Sequence, residues 1–137
     1  MPHDTVDQFY RAWLGRDLEA LAELLDDNVR WSTPPTMPGG GVRRGRRAVL
    51  EQAALFFDRF PTVVVERMST IVVGDWVTAR GRYRTTDGRI VDFVDRIHVR
   101  DGRVVALRAN MRADQVRGVS RDTPRRRRRP RGAPEPG

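Results

Sequence analysis

Apolar residues in the first part of the chain recur at the spacing of amphipathic helices. The pair Thr5 and Gln8 resembles a capping box, and the stripe that follows it predicts a first helix over residues 6–14. A second helix is predicted over residues 18–25, and a third runs from residue 46 to 60, ahead of a proline. The first stripe consists of Val6, Phe9, Tyr10, Trp13 and Leu14, and the inner face of the third helix of Val49, Ala53, Phe57 and Phe60.

The second half of the chain alternates apolar and polar residues with the period of β-strands. The turn sequences Gly74-Asp75, Asp87-Gly88 and Asp101-Gly102 separate four strands, which predicts an antiparallel meander. A short earlier strand is predicted over residues 29–33, and the Pro- and Gly-rich segment 34–41 after it is predicted to be a loop. The meander strands cover residues 62–73, 76–85, 89–100 and 103–112. This order of elements predicts an α+β fold in which three helices cover one face of a curved sheet.

One acidic residue, Asp95, lies on the predicted buried face of a strand. That face reads Val91, Phe93, Asp95, Ile97 and Val99, so the carboxylate is placed between apolar neighbours. Burial disfavours the charged form of a carboxyl group and raises its pKa, which makes Asp95 a candidate acid or base. The alternatives are an error in the strand register, or an Asp that is satisfied by a neighbouring Arg or Tyr.

The other inner strand faces predict a concave, mostly apolar surface. The small residues Ala79, Gly81 and Ala109 lie at its centre and leave room for a ligand, although the helices could simply fill that space. On the last strand, Val105 is expected to point inward with Leu107, Ala109 and Met111. On the opposite face Trp76 lies among Arg residues, a composition that is typical of interfaces. Sheet-to-sheet homodimerisation and a solvated Arg face are both consistent with it.

The charge of the chain is concentrated near its C-terminus. All 26 basic residues are Arg, the net charge is +8, and residues 117–137 alone contribute +6. We therefore predict one domain over residues 1–116 and a disordered tail over residues 117–137. Arg125–Arg129 in that tail could hold a polyanion without sequence specificity, or the tail could be solvated with no specific partner.

Targeting and redox signals are lacking in the sequence. No apolar stretch reaches the roughly 18 residues of a membrane span, and the N-terminus lacks the pattern of a signal peptide. The chain contains no Cys, so disulfide and thiol chemistry are excluded. A cytoplasmic location with no membrane association is the expectation.

A series of short motifs along the chain carries a family resemblance. In order they are Phe9-Tyr10-x-Ala12, Gly15-x-Asp17-Leu18-x-x-Leu21, Leu25-Asp26-Asp27-x-Val29-x-Trp31, Gly45-x-x-Ala48-Val49, Gly74-Asp75-x-Val77, Gly88-x-x-x-x-Phe93-x-Asp95 and Arg100-Asp101-Gly102-Arg103-Val104. In this succession the chain resembles the nuclear transport factor 2-like superfamily, especially its SnoaL-like branch of polyketide cyclases and ketosteroid isomerase-like proteins. The resemblance covers Val6 to about Asp114. It implies a cone-shaped, mixed or antiparallel sheet with a pocket between its concave face and three helices, often a homodimer, and no metal or organic cofactor.

The resemblance also implies roles for individual residues. Asp95 matches the position at which ketosteroid isomerase-like members hold an acidic hydrogen-bond donor, kept neutral by its apolar site. Tyr10 lies near their phenolic donor. Their general base would fall at Ser32 or Thr33, where this chain has no carboxylate, and epoxide hydrolase relatives carry a carboxylate where this chain has Ala109. Isomerisation by that mechanism and hydrolysis by paired carboxylates are therefore disfavoured.

The sequence thus favours a SnoaL-like pocket protein with acid–base chemistry of the cyclase, dehydratase or isomerase type. The ligand would be a small apolar or aromatic carbonyl compound, such as a polyketide intermediate. Asp95 would act as general acid or base, and Tyr10 or Tyr83 would hydrogen-bond a developing enolate. The candidate ligand-binding residues are Trp13, Trp31, Thr33, Phe57, Phe93, Ala109 and Met111. The alternatives are a non-catalytic binding or dimerisation module, and a dimeric handle for a polyanion-binding tail.

Overall fold

The computed structural model describes residues 2–35 and 40–111 as three helices and six strands. The predicted boundary between domain and tail, the tail itself, and residues 36–39 of the predicted loop lie outside the described residues. The elements are α1 (Pro2–Leu14), α2 (Leu18–Leu24), β1 (Leu25–Thr33), β2 (Gly41–Arg44), α3 (Arg46–Arg59), β3 (Val63–Val73), β4 (Trp76–Thr85), β5 (Ile90–Arg100) and β6 (Arg103–Met111).

The strands form one mixed sheet in the order β2-β1-β6-β5-β4-β3. β3 to β6 make the predicted antiparallel meander, and β1 extends it by pairing parallel to β6. Within the described residues the sheet is not closed, since β2 and β3 each have one unpaired edge. The helices pack against the sheet, and α1 contacts β3, β4, β5 and β6. The α+β prediction is therefore confirmed.

The registers of the central strands define the row of residues on which the site is built. Ala79 on β4 lies opposite Asp95 on β5, and Asp95 lies opposite Ala109 on β6. The two-residue turn at Asp101 and Gly102, both with positive φ, fixes the β5–β6 hairpin. The ladder starts at Arg100 and Arg103 beside this turn, and a one-residue shift between His98 and Val99 then brings Ala109 opposite Asp95.

Two element boundaries differ from the sequence predictions, and one strand was not predicted. The first helix begins at Pro2, not at residue 6, and Thr5 is buried within it, so the prediction of a Thr5 capping box is wrong. Proline is favourable in the first turn of a helix, where its missing N–H has no partner to lose. The first strand begins at Leu25, and the four-residue strand β2 was not predicted because it is too short to show a clear alternation.

A β-bulge changes which residues of β6 face the helices. His98 lies opposite Ala106 and Val99 lies opposite Val104, so Val105 is the extra residue of the bulge. Val104 is fully buried while Val105 is only half-buried, and the prediction that Val105 points inward is wrong. The alternation from Leu107 onward is as predicted.

The glycine at position 81 is required by the close approach of two strands and does not provide space for a ligand. A Cβ atom at this position would lie 2.2 Å from the carbonyl oxygen of Arg67 on β3, next to a second bulge in the β3–β4 ladder. Only glycine permits this approach of the two backbones. The sequence-based explanation of Gly81 as cavity space is therefore wrong, and its role is to let β3 bend over β4.

No helix of the described part of the chain has the length and apolar character required to cross a membrane.

Candidate ligand cavity and acid–base site

A cavity of about 320 Å³ lies between the helices α1 and α3 and the inner face of the sheet. Its wall is mainly aromatic and aliphatic, a composition typical of pockets for small apolar ligands. The lining residues are Phe9, Tyr10, Trp13, Leu14, Trp31, Thr33, Gln52, Leu55, Phe56, Asp58, Arg59, Phe60, Val63, Val65, Tyr83, Phe93, Asp95, Leu107, Ala109 and Met111.

The structure brings almost all of the sequence-predicted site residues together around this cavity. Asp95, Tyr10 and Tyr83 line it, as do the predicted ligand-binding residues Trp13, Trp31, Thr33, Phe93, Ala109 and Met111.

The exception is Phe57, for which the prediction of a cavity position is wrong. Its ring packs edge-to-face on Trp13, and the Arg16 guanidinium lies 5.4 Å from the centre of the ring. Phe56, which is rotated by about 100° around the helix axis, lines the cavity in its place.

Tyr10 and Asp95 form the polar centre of the cavity. The Tyr10 hydroxyl donates a hydrogen bond of 2.6 Å to Oδ2 of Asp95, across 85 positions of sequence. The apolar stripe of α1 places Tyr10 there, because burial of Val6 and Phe9 turns this face of the helix toward the sheet. One wall of the cavity is therefore a phenol–carboxylate pair set in aromatic surroundings.

Burial raises the pKa of Asp95 from its ordinary value of 3.8 to about 7. The Tyr10 hydrogen bond and the backbone N–H of Asn110 act in the opposite direction, because both stabilise the carboxylate. The effect of desolvation on the pKa of Asp95 is larger than the combined effect of these two hydrogen bonds. A group with this pKa is present in both protonation states near neutrality, which suits a general acid or base.

The two phenols of the cavity are poor acids, and Tyr83 is the one whose O–H is available to a ligand. Burial, reinforced by the nearby charge of Asp95, raises the pKa values of Tyr10 and Tyr83 above their ordinary value. The Tyr83 hydroxyl contacts only a weak acceptor in the structure, Sδ of Met111, at 3.3 Å. A ligand oxygen could therefore replace the thioether as the partner of Tyr83.

Ala109 lies directly across the β5–β6 ladder from Asp95. A carboxylate on this residue would face Asp95, but the methyl group of alanine offers neither a second base nor a ligand for water. Thr33 Oγ1 makes only a long contact of 3.5 Å with the carbonyl oxygen of Gly41. Asp95 therefore has two phenols beside it and no carboxylate across the ladder, and the second carboxylate of the lining, Asp58, is exposed.

The opposite wall consists of packed aromatic rings. Trp13 lies 5.3 Å from Trp31 and 5.1 Å from Phe56 between ring centres, and Phe56 lies 5.0 Å from Phe60. Such contacts hold the rings at fixed angles and present flat surfaces to the cavity. Nε1 of Trp31 is buried and has no hydrogen-bond partner among the described residues.

Sequence reasoning missed the contribution of α3 to the cavity. The residues of this helix that line it are Gln52, Leu55, Phe56, Asp58 and Arg59, along with Phe60 just beyond the helix end. The spacing of three and four between Gln52, Leu55, Phe56 and Arg59 is helical and could have been found, but the polar Gln52 and Arg59 interrupt the apolar stripe. Among the described residues, no cluster of three or more His, Asp or Glu side chains could hold a metal ion.

Comparison with known proteins identifies the family of the fold. The family model for the SnoaL-like domain matches residues 6–107. Comparison with curated proteins gives no significant match. The crystal structure of IdmH from Streptomyces antibioticus, provisionally named a polyketide cyclase, is 27% identical with a TM-score of 0.71, over 85% of this chain and 95% of that one.

Two further crystal structures are similar in fold. An NTF2-like protein of unknown function from Burkholderia pseudomallei is 24% identical with a TM-score of 0.71, covering 85% of this chain and 95% of that one. A protein from Sinorhizobium meliloti, also provisionally named a polyketide cyclase, is 20% identical with a TM-score of 0.69, covering 78% and 94%.

Proposed function

Since the chain belongs to the SnoaL-like domain family, we propose that it binds a small apolar or aromatic carbonyl compound, such as a polyketide intermediate, and performs acid–base chemistry on it. The observation that carries this proposal is the 2.6 Å hydrogen bond between Tyr10 and Asp95 in the wall of a mainly apolar cavity. A carboxyl group with a pKa near 7 can take a proton from carbon and return it at neutral pH.

The chemical roles follow from the hydrogen bonds. Asp95 in its carboxylate form removes a proton from the carbon next to the ligand carbonyl, and Tyr10 holds the carboxylate in place through Oδ2. Tyr83 donates to the carbonyl oxygen as negative charge develops there, leaving its weak contact with Met111. Protonated Asp95 then returns the proton to another carbon in a proton shift, to the oxygen of a second carbonyl that the enolate attacks in a ring closure, or to a departing hydroxyl group in a dehydration. These steps serve a proton shift, an aldol-type ring closure or a dehydration.

Hydrolysis is not part of this proposal, because the position opposite Asp95 is occupied by Ala109. A paired-carboxylate mechanism needs one group to activate water and a second to protonate the leaving atom. The same observation favours a second candidate function, in which the cavity binds its ligand without turnover.

Hydrogen exchange of 1-tetralone in D₂O separates the two candidates. This bicyclic ketone contains acidic protons next to its carbonyl group, and the exchange of those protons for deuterium is visible by proton NMR. The wild-type protein is expected to accelerate exchange, and Asp95→Asn should lower the rate about a hundredfold or more while affinity, measured by calorimetry, changes little.

Asp7→Asn is the matched control, because it removes an exposed carboxylate from the same helix that carries Tyr10. It should leave exchange unchanged. Binding of 1-tetralone without exchange above the rate in buffer would favour the pure binding function. Equal exchange by wild type and Asp95→Asn would refute the role of Asp95.

Assembly and location stay predictions. We propose a homodimer, as the family resemblance implies, and sedimentation equilibrium would reveal a mass of two chains. Non-specific polyanion contact through residues 117–137 and a cytoplasmic location also stay predictions, which filter binding and cell fractionation would test.

A further inference from the structure

Two hydrogen-bond donors line the cavity on the side of β1, away from the phenol–carboxylate pair. Trp31 and Thr33 are two positions apart on this strand, so both side chains lie on the inner face of the sheet. We call these two residues the β1 donor pair. The proton transfers of Asp95 and the hydrogen bond of Tyr83 to the ligand carbonyl use neither of them.

Neither donor has an acceptor at an ordinary hydrogen-bond distance within the described residues. Trp31 is 7% exposed, and its Nε1 is buried without a partner there. Oγ1 of Thr33 lies 3.5 Å from the carbonyl oxygen of Gly41, whereas O–H donors usually lie about 2.5 to 3.0 Å from their acceptors. Buried polar groups of native proteins are nearly always paired, because an unpaired one costs free energy. The β1 donor pair therefore has capacity for an acceptor that the described residues do not supply.

The strand registers set the distance between the β1 donor pair and Asp95. β1 pairs parallel with β6, with Ser32 opposite Arg108. One position further along both strands, Thr33 comes level with Ala109, which lies opposite Asp95 on β5. Thr33 and Asp95 are therefore two strands apart on the same face, or about 10 Å between backbones.

A ligand that contacts Asp95 and the β1 donor pair together needs an oxygen at some distance from its reacting carbon. A contact of about 3 Å at each end leaves about 4 Å for the ligand to span. A benzene ring fused to the ring of a cyclic ketone spans this length, and the cavity of about 320 Å³ has room for such a bicyclic molecule. The second oxygen therefore belongs on the fused ring, away from the reacting carbonyl group.

We propose that the β1 donor pair is a subsite for a second ligand oxygen, and that it selects aromatic ketones with an acceptor oxygen on the fused ring. The oxygen receives hydrogen bonds from Nε1 of Trp31 and Oγ1 of Thr33. Because Nε1 is already removed from water and has no partner among the described residues, its new bond replaces no bond to water, and its effect on affinity is large for a hydrogen bond. The subsite rests on the proposed function, since it names the class of carbonyl compound that reaches Asp95.

Calorimetric titration of the full chain with two ketones of equal shape tests this subsite. 7-Methoxy-1-tetralone has an acceptor oxygen on its fused ring, and 7-ethyl-1-tetralone has a CH₂ group in place of that oxygen. Wild type should bind the methoxy ketone more tightly, although the ethyl group is the more apolar. The variant W31F/T33V removes both donors and keeps an aromatic ring and a branched side chain. In this variant the ratio of the two affinities should fall about tenfold or more.

The variant S32A/W76F is the matched control, because it removes one hydroxyl group and one indole N–H from the opposite face of the sheet. Ser32 alternates with the two donors along β1, and Trp76 is 46% exposed beside the buried Val77 on β4. This control should leave the ratio of the two affinities unchanged. An equal fall of the ratio in both double variants would overturn the subsite, and so would a wild type that binds the ethyl ketone at least as tightly as the methoxy ketone.

Unsubstituted 1-tetralone, which has no oxygen on its fused ring, reveals whether the cavity itself survives the substitutions. W31F/T33V should bind this ketone with nearly the affinity of wild type. If it does not, the single variant Thr33→Val decides, because valine has the shape of threonine and lacks only the hydroxyl group. In that variant the affinity ratio should fall about threefold, and an unchanged ratio would overturn the role of Thr33.

Failure of the subsite and failure of the proposed function give different results. The affinity ratio requires no proton transfer, so the expected ratio without deuterium exchange would leave the subsite in place and refute the acid–base function. Deuterium exchange with equal affinities for the two ketones would refute the subsite alone. Asp95→Asn should keep the ratio, because Asp95 lies two strands from the subsite. A wild type that binds neither ketone would refute both.

Discussion

Replacing Asp95 by Asn should change how the stability of the protein depends on pH. Because burial raises the pKa of this carboxyl group in the folded state, the folded protein holds a proton that the unfolded chain releases at lower pH. The stabilising contribution of Asp95 is therefore complete below the ordinary value of 3.8 and is lost as pH rises to about 7. Asn does not titrate, so the variant should gain stability relative to wild type across this window.

The size of the effect follows from the two pKa values. A tenfold change in proton affinity corresponds to a free energy of 1.36 kcal/mol, so a rise from 3.8 to about 7 gives about 4 kcal/mol. That is a large part of the 5–15 kcal/mol typical of a whole domain. The free energy of unfolding, measured by urea titration and circular dichroism at intervals from pH 4 to 8, should show the difference between variant and wild type growing by this amount.

The contributions of the other ionisable groups cancel in this difference, because wild type and variant contain the same groups. Asn can accept the Tyr10 hydrogen bond through its side-chain oxygen, and its amide group adds only an offset that does not vary with pH. A difference that stays constant from pH 4 to 8, or that shrinks as pH rises, would refute the argument that desolvation controls Asp95.

Three other substitutions test separate parts of the structure. Tyr10→Phe removes a donor to the carboxylate, so the pKa of Asp95 should rise above 7, as carboxyl carbon shifts in an NMR titration would show; an unchanged value would contradict the hydrogen bond. Gly81→Ala should lower the free energy of unfolding by about 2 kcal/mol or more, because its methyl group meets the Arg67 carbonyl, and calorimetry would detect the lower Tm. Trp31→Phe should change the free energy of unfolding by less than about 1.5 kcal/mol, since it keeps an aromatic ring and removes an N–H without a partner; a larger loss in urea titration would imply a missing acceptor.

The parts of the fold that could be predicted from the sequence have local causes. Asp-Gly turns and strict alternation located the meander strands, and the same alternation placed Asp95 on the inner face. The parallel pairing of β1 with β6 has no local signature, because it joins residues more than 70 positions apart. The bulge at Val105 shifted the alternation by one residue, which a pattern of period two cannot reveal.

The residues of the candidate site also divide into those that a local sequence pattern reveals and those that it does not. Strand alternation identified the inward residues of β4 and β5, whereas the rotation of α3 about its axis depends on its packing. Sequence spacing alone therefore could not decide between Phe56 and Phe57. Hydrophobic periodicity also could not reveal Gln52, since a polar side chain on a cavity wall has the same appearance in the sequence as one on the surface.

The parallel pairing of β1 with β6 has a consequence for the synthesis of the protein. β1 lies between β2 and β6, so its inner side chains have a complete sheet around them only after Met111 has been made. At about 5 to 20 residues per second, the 78 residues from the end of β1 to Met111 take about 4 to 16 s to translate. During that time α1, α2 and β1 carry apolar residues such as Leu21, Val29 and Trp31 with no meander to cover them. The last strand to be made is therefore the one that joins the two parts of the sheet, and a chain cut short before β6 leaves β1 and β2 separate from β3, β4 and β5.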